Sequence, residues 1–210
     1  MGILKDLFGD LTSFSQGKVE KVNGVDYVVS GDFHGLTSES PLLIPSFGGS
    51  IRPNGSYNPE FVKIVRDLRD YAKLISIPIF AQSHVAHFLQ KEGIDPIFSV
   101  GEKVFGVGTI TLGYNGNEYY STEQFFDAAL GWAKSMNFQI SPVAMSAHPA
   151  HAHRSKNILE EMTKEEACCF VPKDVSWPSR DHTQMQVRGP IRWSLHEIPT
   201  RIHHKVKGII

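Results

Sequence analysis

The chain has 210 residues, the size of one ordinary domain or a domain with an appendage. Lys and Arg total 21 against 22 Asp and Glu, a formal net charge of −1, and 41% of residues are hydrophobic. That balance excludes a disordered chain and argues against a nucleic-acid binder, whose affinity would rest on a broad basic face. The unusual count is histidine, at 10.

Residues 1–11 carry Ile3, Leu4, Leu7, Phe8 and Leu11 at helical spacing, which predicts a short amphipathic helix. The start of the chain has no basic segment followed by a long apolar run, and no stretch is apolar for the roughly 18 residues that a membrane span needs. The only cysteines are adjacent, Cys168 and Cys169, which suits two buried thiols rather than a disulfide framework. The expectation is a soluble cytoplasmic protein without an integral membrane segment.

Two alternating runs, Lys18–Val22 and Val25–Ser30, flank Asn23-Gly24 and predict a β-hairpin. Residues 1–40 are therefore expected to form an N-terminal helix and hairpin appendage. The pattern then changes. Residues 42–47 form a short apolar strand ending in Gly48-Gly49-Ser50, and Asn58-Pro59 open a helix with an apolar stripe from Phe61 to Ile75. A strand is expected at 77–81, a helix at 83–92 closed by Gly93, and β structure at 103–112 with a turn at Asn115-Gly116. Ser121 and Gln124 form a capping box for the next helix. A strand at 139–146, a helix at 155–162, a strand at 167–171 and a last helix between Pro199 and Gly208 complete the order. Strands alternating with amphipathic helices predict an α/β fold over residues 41–210, a mostly parallel sheet with helices on both faces.

In such folds ligands bind beyond the carboxyl ends of the strands. The segments expected there are Gly48-Gly49-Ser50, Gln82-Ser83-His84, Ser121-Thr122-Glu123 and the run from His148 to Arg154. The last is the strongest local signal, with three imidazoles and a guanidinium in seven residues. Arg154 offers a planar fork for phosphate or carboxylate, and His151 or His153 suits proton transfer near neutrality. Glu123 can bind a hydroxyl or act as a base. His148, His151 and His153 also fit a metal reading, although no acidic or cysteine ligands accompany them. There is no P-loop, no GxGxxG after a strand and no GxSxG elbow. His196-Glu197 starts like a zincin helix, but Thr200 stands in the place of the second His.

Together these pieces resemble the SanA/YdcF-like α/β domain family. The likeness spans about residues 41–208. It rests on the Gly48-Gly49 loop, the Ser83-His84 helix start, Ser121-Thr122-Glu123-Gln124, His151-Ala152-His153-Arg154 after a strand, and Trp193 with His196-Glu197. The resemblance implies a three-layer Rossmann-like sheet and a pocket for a polar, anionic, nucleotide-like ligand, S-adenosylmethionine among the candidates. Some members of the family serve bacterial envelope processes. This chain departs from the family in having Gln124 after the acid, where Asn is usual, and in its hairpin at 18–30.

The expected function is binding of a small polar or anionic ligand, nucleotide-like or sugar-phosphate-like. Gly48, Gly49, Ser50, Ser83, Ser121, Thr122, His148 and Arg154 are the expected binding residues, and Glu123, His151 and His153 the catalytic ones. If the chain is an enzyme, hydrolysis or transfer is the expected reaction. The alternatives are a non-catalytic binding or interaction module and a metal-dependent hydrolase built on residues 148–153.

Overall fold

The computed structural model describes residues 14–45, 60–74, 77–94, 97–100, 111–112, 121–174 and 190–206. The expected N-terminal helix, the Gly48-Gly49-Ser50 loop, the Asn58-Pro59 cap and the turn at Asn115-Gly116 lie outside them.

Alternation builds the first two strands, β1 (Lys18–Val22) and β2 (Val25–Ser30). Asn23 and Gly24 join them with φ of 48° and 83°, the positive pair that a type I′ turn requires. The parallel strands follow: β3 (Leu42–Ile44), β4 (Ile79–Gln82), β5 (Ile97–Val100), β6 (Thr111–Leu112), β7 (Ala144–Met145) and β8 (Cys168–Pro172). Their order in one eight-stranded sheet is β1-β2-β8-β7-β3-β4-β5-β6. Every pair from β8 to β6 is parallel, and only the hairpin runs antiparallel, with β2 on β8. The protein is thus an α/β fold on a mixed, mostly parallel sheet.

The helices are α1 (Glu60–Ala72), α2 (Ser83–Lys91), α3 (Thr122–Ser135), α4 (Pro149–Thr163) and α5 (Pro190–Val206). Successive strand residues point to opposite faces, so β2, β3, β4, β7 and β8 each feed two cores. Leu42, Ile44, Ile79, Ala81, Cys168 and Phe170 pack with Val65 and Leu68 of α1 and Val85 and Leu89 of α2. Leu43, Phe80, Met145, Cys169 and Val171 pack with Phe125, Phe126 and Trp132 of α3 and Leu159 of α4. The adjacent cysteines fall into different cores, and burial pushes their thiols up to about 11 for Cys168 and about 12 for Cys169. Both are inert at neutral pH.

The hairpin, expected as an appendage, is the edge of this sheet. Tyr27 stacks on Phe170 at 4.0 Å between ring centroids, and its hydroxyl donates to Asp67 Oδ2 at 2.6 Å. Asn23 donates to Asp67 and Asp70, which fastens the turn to α1. After the hairpin, Gly31 holds φ at +85°, and a Cβ there would stand 2.8 Å from Cys168 Cα. The Gly31→Ala variant is expected to lose about 2–3 kcal/mol, from both the left-handed backbone and the clash with β8. Urea denaturation of the two proteins measures it.

Four expectations need correction. The strand placed at 139–146 is only Ala144–Met145, because Pro142 has no N–H for the ladder. β5 was not foreseen. The stretch before residue 155, expected as a loop, is helix: α4 starts at Pro149, where proline suits the first helical position, and His148 is its N-cap. The last helix begins at Pro190 and continues through Pro199, which was expected to start it. Glu197 and Arg201, on either side of Pro199, are both anchored in the interior and hold the helix through the break.

Candidate functional site

The strand order defines one special place. From β3 the chain moves outward to β4, β5 and β6, then returns to β7 on the other side of β3. The segment leaving β3 leads to α1 in one core, and the segment leaving β7 leads to α4 in the other. Neighbouring parallel strands thus send their connections to opposite faces, the arrangement that opens a ligand crevice at their carboxyl ends. Two of the four segments singled out in the sequence leave these two strands. Gly48-Gly49-Ser50 follows β3, outside the described residues. The run from Ser146 to Arg154 follows β7.

His148 caps α4: Ala150 N–H donates to its Nδ1 at 3.2 Å. Since Nδ1 accepts, the neutral ring carries its proton on Nε2. Burial keeps the imidazole neutral, with its pKa pushed down to about 3. One turn on, His151 Nε2 lies 3.0 Å from Thr122 Oγ1 in the first turn of α3. This contact ties together the N-terminal turns of two helices at the same sheet edge, where unpaired N–H groups and the positive ends of helix dipoles gather. Glu123, half-buried, follows Thr122 in that turn. Ser121 is occupied as N-cap: its hydroxyl accepts from Gln124 N–H, and Gln124 Oε1 accepts from Ser121 N–H. Ser146 at the end of β7 and Ser155 on α4 are buried, and their hydroxyls have no hydrogen-bond partner among the described residues.

Two expected site residues have other company. His153 sits 200° around the helix from His151 at 100° per residue, so the two face apart. Its Nδ1 is 2.7 Å from Gln16 Nε2, which pins the segment before β1 to α4. Arg154 was expected to turn its fork toward a ligand; its Nη1 instead donates to Glu197 Oε2 at 2.8 Å. Arg201 Nε donates to the other oxygen, Glu197 Oε1, at 3.3 Å. The side chains of Arg154, Glu197 and Arg201 are 7%, 0% and 0% exposed. Burial pushes the Glu197 carboxyl up, and the two guanidiniums oppose that shift. The sequence held one sign of this triad, the i,i+4 spacing of Glu197 and Arg201, which its likeness to a failed zincin motif obscured.

The three histidines of the alternative metal reading have separate partners, Ala150 N–H, Thr122 and Gln16. No group of three His, Cys, Asp or Glu among the described residues is arranged to hold a metal ion. The side chain of Ser83 lies outside the described set.

No family model matches the chain, and no curated protein matches it. Among solved structures, a hormone-sensitive lipase from a metagenome library aligns with 98% of this chain and 90% of its own, at 12% identity and a TM-score of 0.26. A likeness that slight carries no argument about fold or chemistry. Among the described residues no helix is long and apolar enough to cross a membrane.

Proposed function

We propose that the protein binds a small polar or anionic ligand, nucleotide-like or sugar-phosphate-like, at the carboxyl edge of its sheet between β3 and β7. The observation that carries this reading is the reversal of strand order there, with the helix connections leaving to opposite faces. The division of the apolar residues into two cores supports the three-layer Rossmann-like form implied by the SanA/YdcF-like resemblance. In this reading Thr122, His148, Ser146 and the Gly48-Gly49-Ser50 loop contact the ligand, and S-adenosylmethionine is among the candidates. Arg154 acts from behind the site, adding positive charge while Glu197 holds its fork. His151 and Glu123, one on each helix start, are the groups that move a proton if the ligand is a substrate for hydrolysis or transfer.

Calorimetry against adenine nucleotides, S-adenosylmethionine and sugar phosphates tests the reading. Saturable binding of one class is expected. Ser146→Ala is expected to weaken it about tenfold, the value of one hydrogen bond to a charged or strongly polar group. Silence across the whole panel overturns the proposal. Turnover of the bound compound, followed in the same samples, separates an enzyme from a binding module.

A further inference from the structure

Helix α5 turns its apolar side outward. Glu197 and Arg201 are buried, whereas Ile191, Leu195, Ile202 and Val206 are 76%, 69%, 48% and 83% exposed. These are four of the seven exposed large hydrophobic side chains among the described residues, so they form a patch rather than random scatter. At 100° per residue the four lie within an arc of about 60°, centred about 130° from the Glu197–Arg201 side, and half-buried Ile198 extends the arc. A surface helix of an isolated soluble domain does the opposite.

The spacing of the stripe names its occupant. Positions 191 and 206 are equidistant from the midpoint between 198 and 199, and so are 195 and 202. A stripe with that symmetry fits a second copy of itself running antiparallel, since a two-fold axis requires that residue i meet residue j while j meets i. We propose that α5 is a homodimer interface, with Ile191 against the partner's Val206 and Leu195 against the partner's Ile202 about an axis at Ile198–Pro199. Four aliphatic side chains this exposed present on the order of 500 Å² per copy, at most about 1,000 Å² in a pair, the least that a biological interface clears and below the range of stable ones. The expected dimer is therefore of modest affinity. An apolar stripe would also suit a lipid surface, but such a surface places no condition on the symmetry of the stripe.

Sedimentation equilibrium of the full chain over a range of concentrations is expected to give twice the 23.4 kDa monomer mass at the upper end. The double variant Leu195→Glu/Ile202→Glu is expected to raise the dissociation constant at least 100-fold with an unchanged far-UV spectrum. Orientation is read separately from Ile191→Cys and Val206→Cys; both native cysteines are buried and so stay silent. On oxidation a mixture of the two variants is expected to cross-link unlike chains, while each variant alone stays uncross-linked. A monomer at every concentration, a dimer that survives the double variant, or cross-linking between like variants overturns the proposal. Co-sedimentation of a monomer with phosphatidylserine vesicles, lost in the double variant, overturns it in favour of a lipid surface.

Discussion

Glu197→Ala is expected to destabilise the protein by about 3–5 kcal/mol, as much as truncating a fully buried aromatic side chain. The carboxylate is fully buried and is bonded by Arg154 on α4 and by Arg201 on its own helix. Removing it takes the shared carboxylate from two guanidiniums in a low-dielectric interior, so desolvation and mutual repulsion both act. Arg201→Met should cost less than Glu197→Ala, because Arg154 still pairs the carboxylate. The triple replacement Arg154→Met, Glu197→Leu, Arg201→Met is expected to recover most of the loss, since apolar groups of similar volume satisfy that space without buried charge. Urea denaturation at neutral pH, read by circular dichroism, measures all three. A loss below about 1 kcal/mol for Glu197→Ala would show that the triad is solvated and that α5 is held by something else. The same series bears on the proposed dimer, because the triad fixes which side of α5 faces out.

Much of the sheet was legible because its signals are local. Asn23-Gly24 has little choice but a tight turn, Ser121 and Gln124 specify a helix start by hydrogen bonds three residues apart, and Gly93 closes a helix with φ of +74°. The run from His148 to Arg154 follows a strand, as the sequence pattern predicts, but its side chains are distributed differently from those of a loop. As a loop it would point three imidazoles and a guanidinium at one ligand. Wound into a helix from Pro149, it sends His151 to Thr122, His153 to Gln16 and Arg154 to Glu197, three partners on three different segments. Those partners lie 29, 137 and 43 residues away, and no spacing rule reaches so far. The outward apolar stripe of α5 was hidden for the same reason. Periodicity marks an apolar face but does not say which way tertiary contacts turn it, and here a buried ion triad overrides the usual orientation.

Lowering the pH from 7 to 5 is expected to cost the folded protein about 2 kcal/mol through His148 alone. The folded imidazole stays neutral down to about 3, against an ordinary value of 6.5. Between those values the unfolded chain binds a proton that the folded chain refuses, so stability falls as pH drops, by about 1.4 kcal/mol per unit. Glu197 acts in the other sense. Its carboxyl is pushed up by burial, so the folded state takes up that proton first and gains stability as pH falls. The His148 contribution is therefore read as a difference. His148→Asn keeps an acceptor for Ala150 N–H and is a favourable N-cap, so it removes the titrating group while preserving the cap. Urea midpoints of both proteins between pH 7 and pH 5 should diverge steadily, the variant losing less. Parallel curves would mean that the ring is hydrated and titrates normally. The same neutral ring has a consequence for ligand binding. A contact made through its Nε2–H stays unchanged across that range, so an affinity that changes between pH 7 and pH 5 would have to draw its proton from another group.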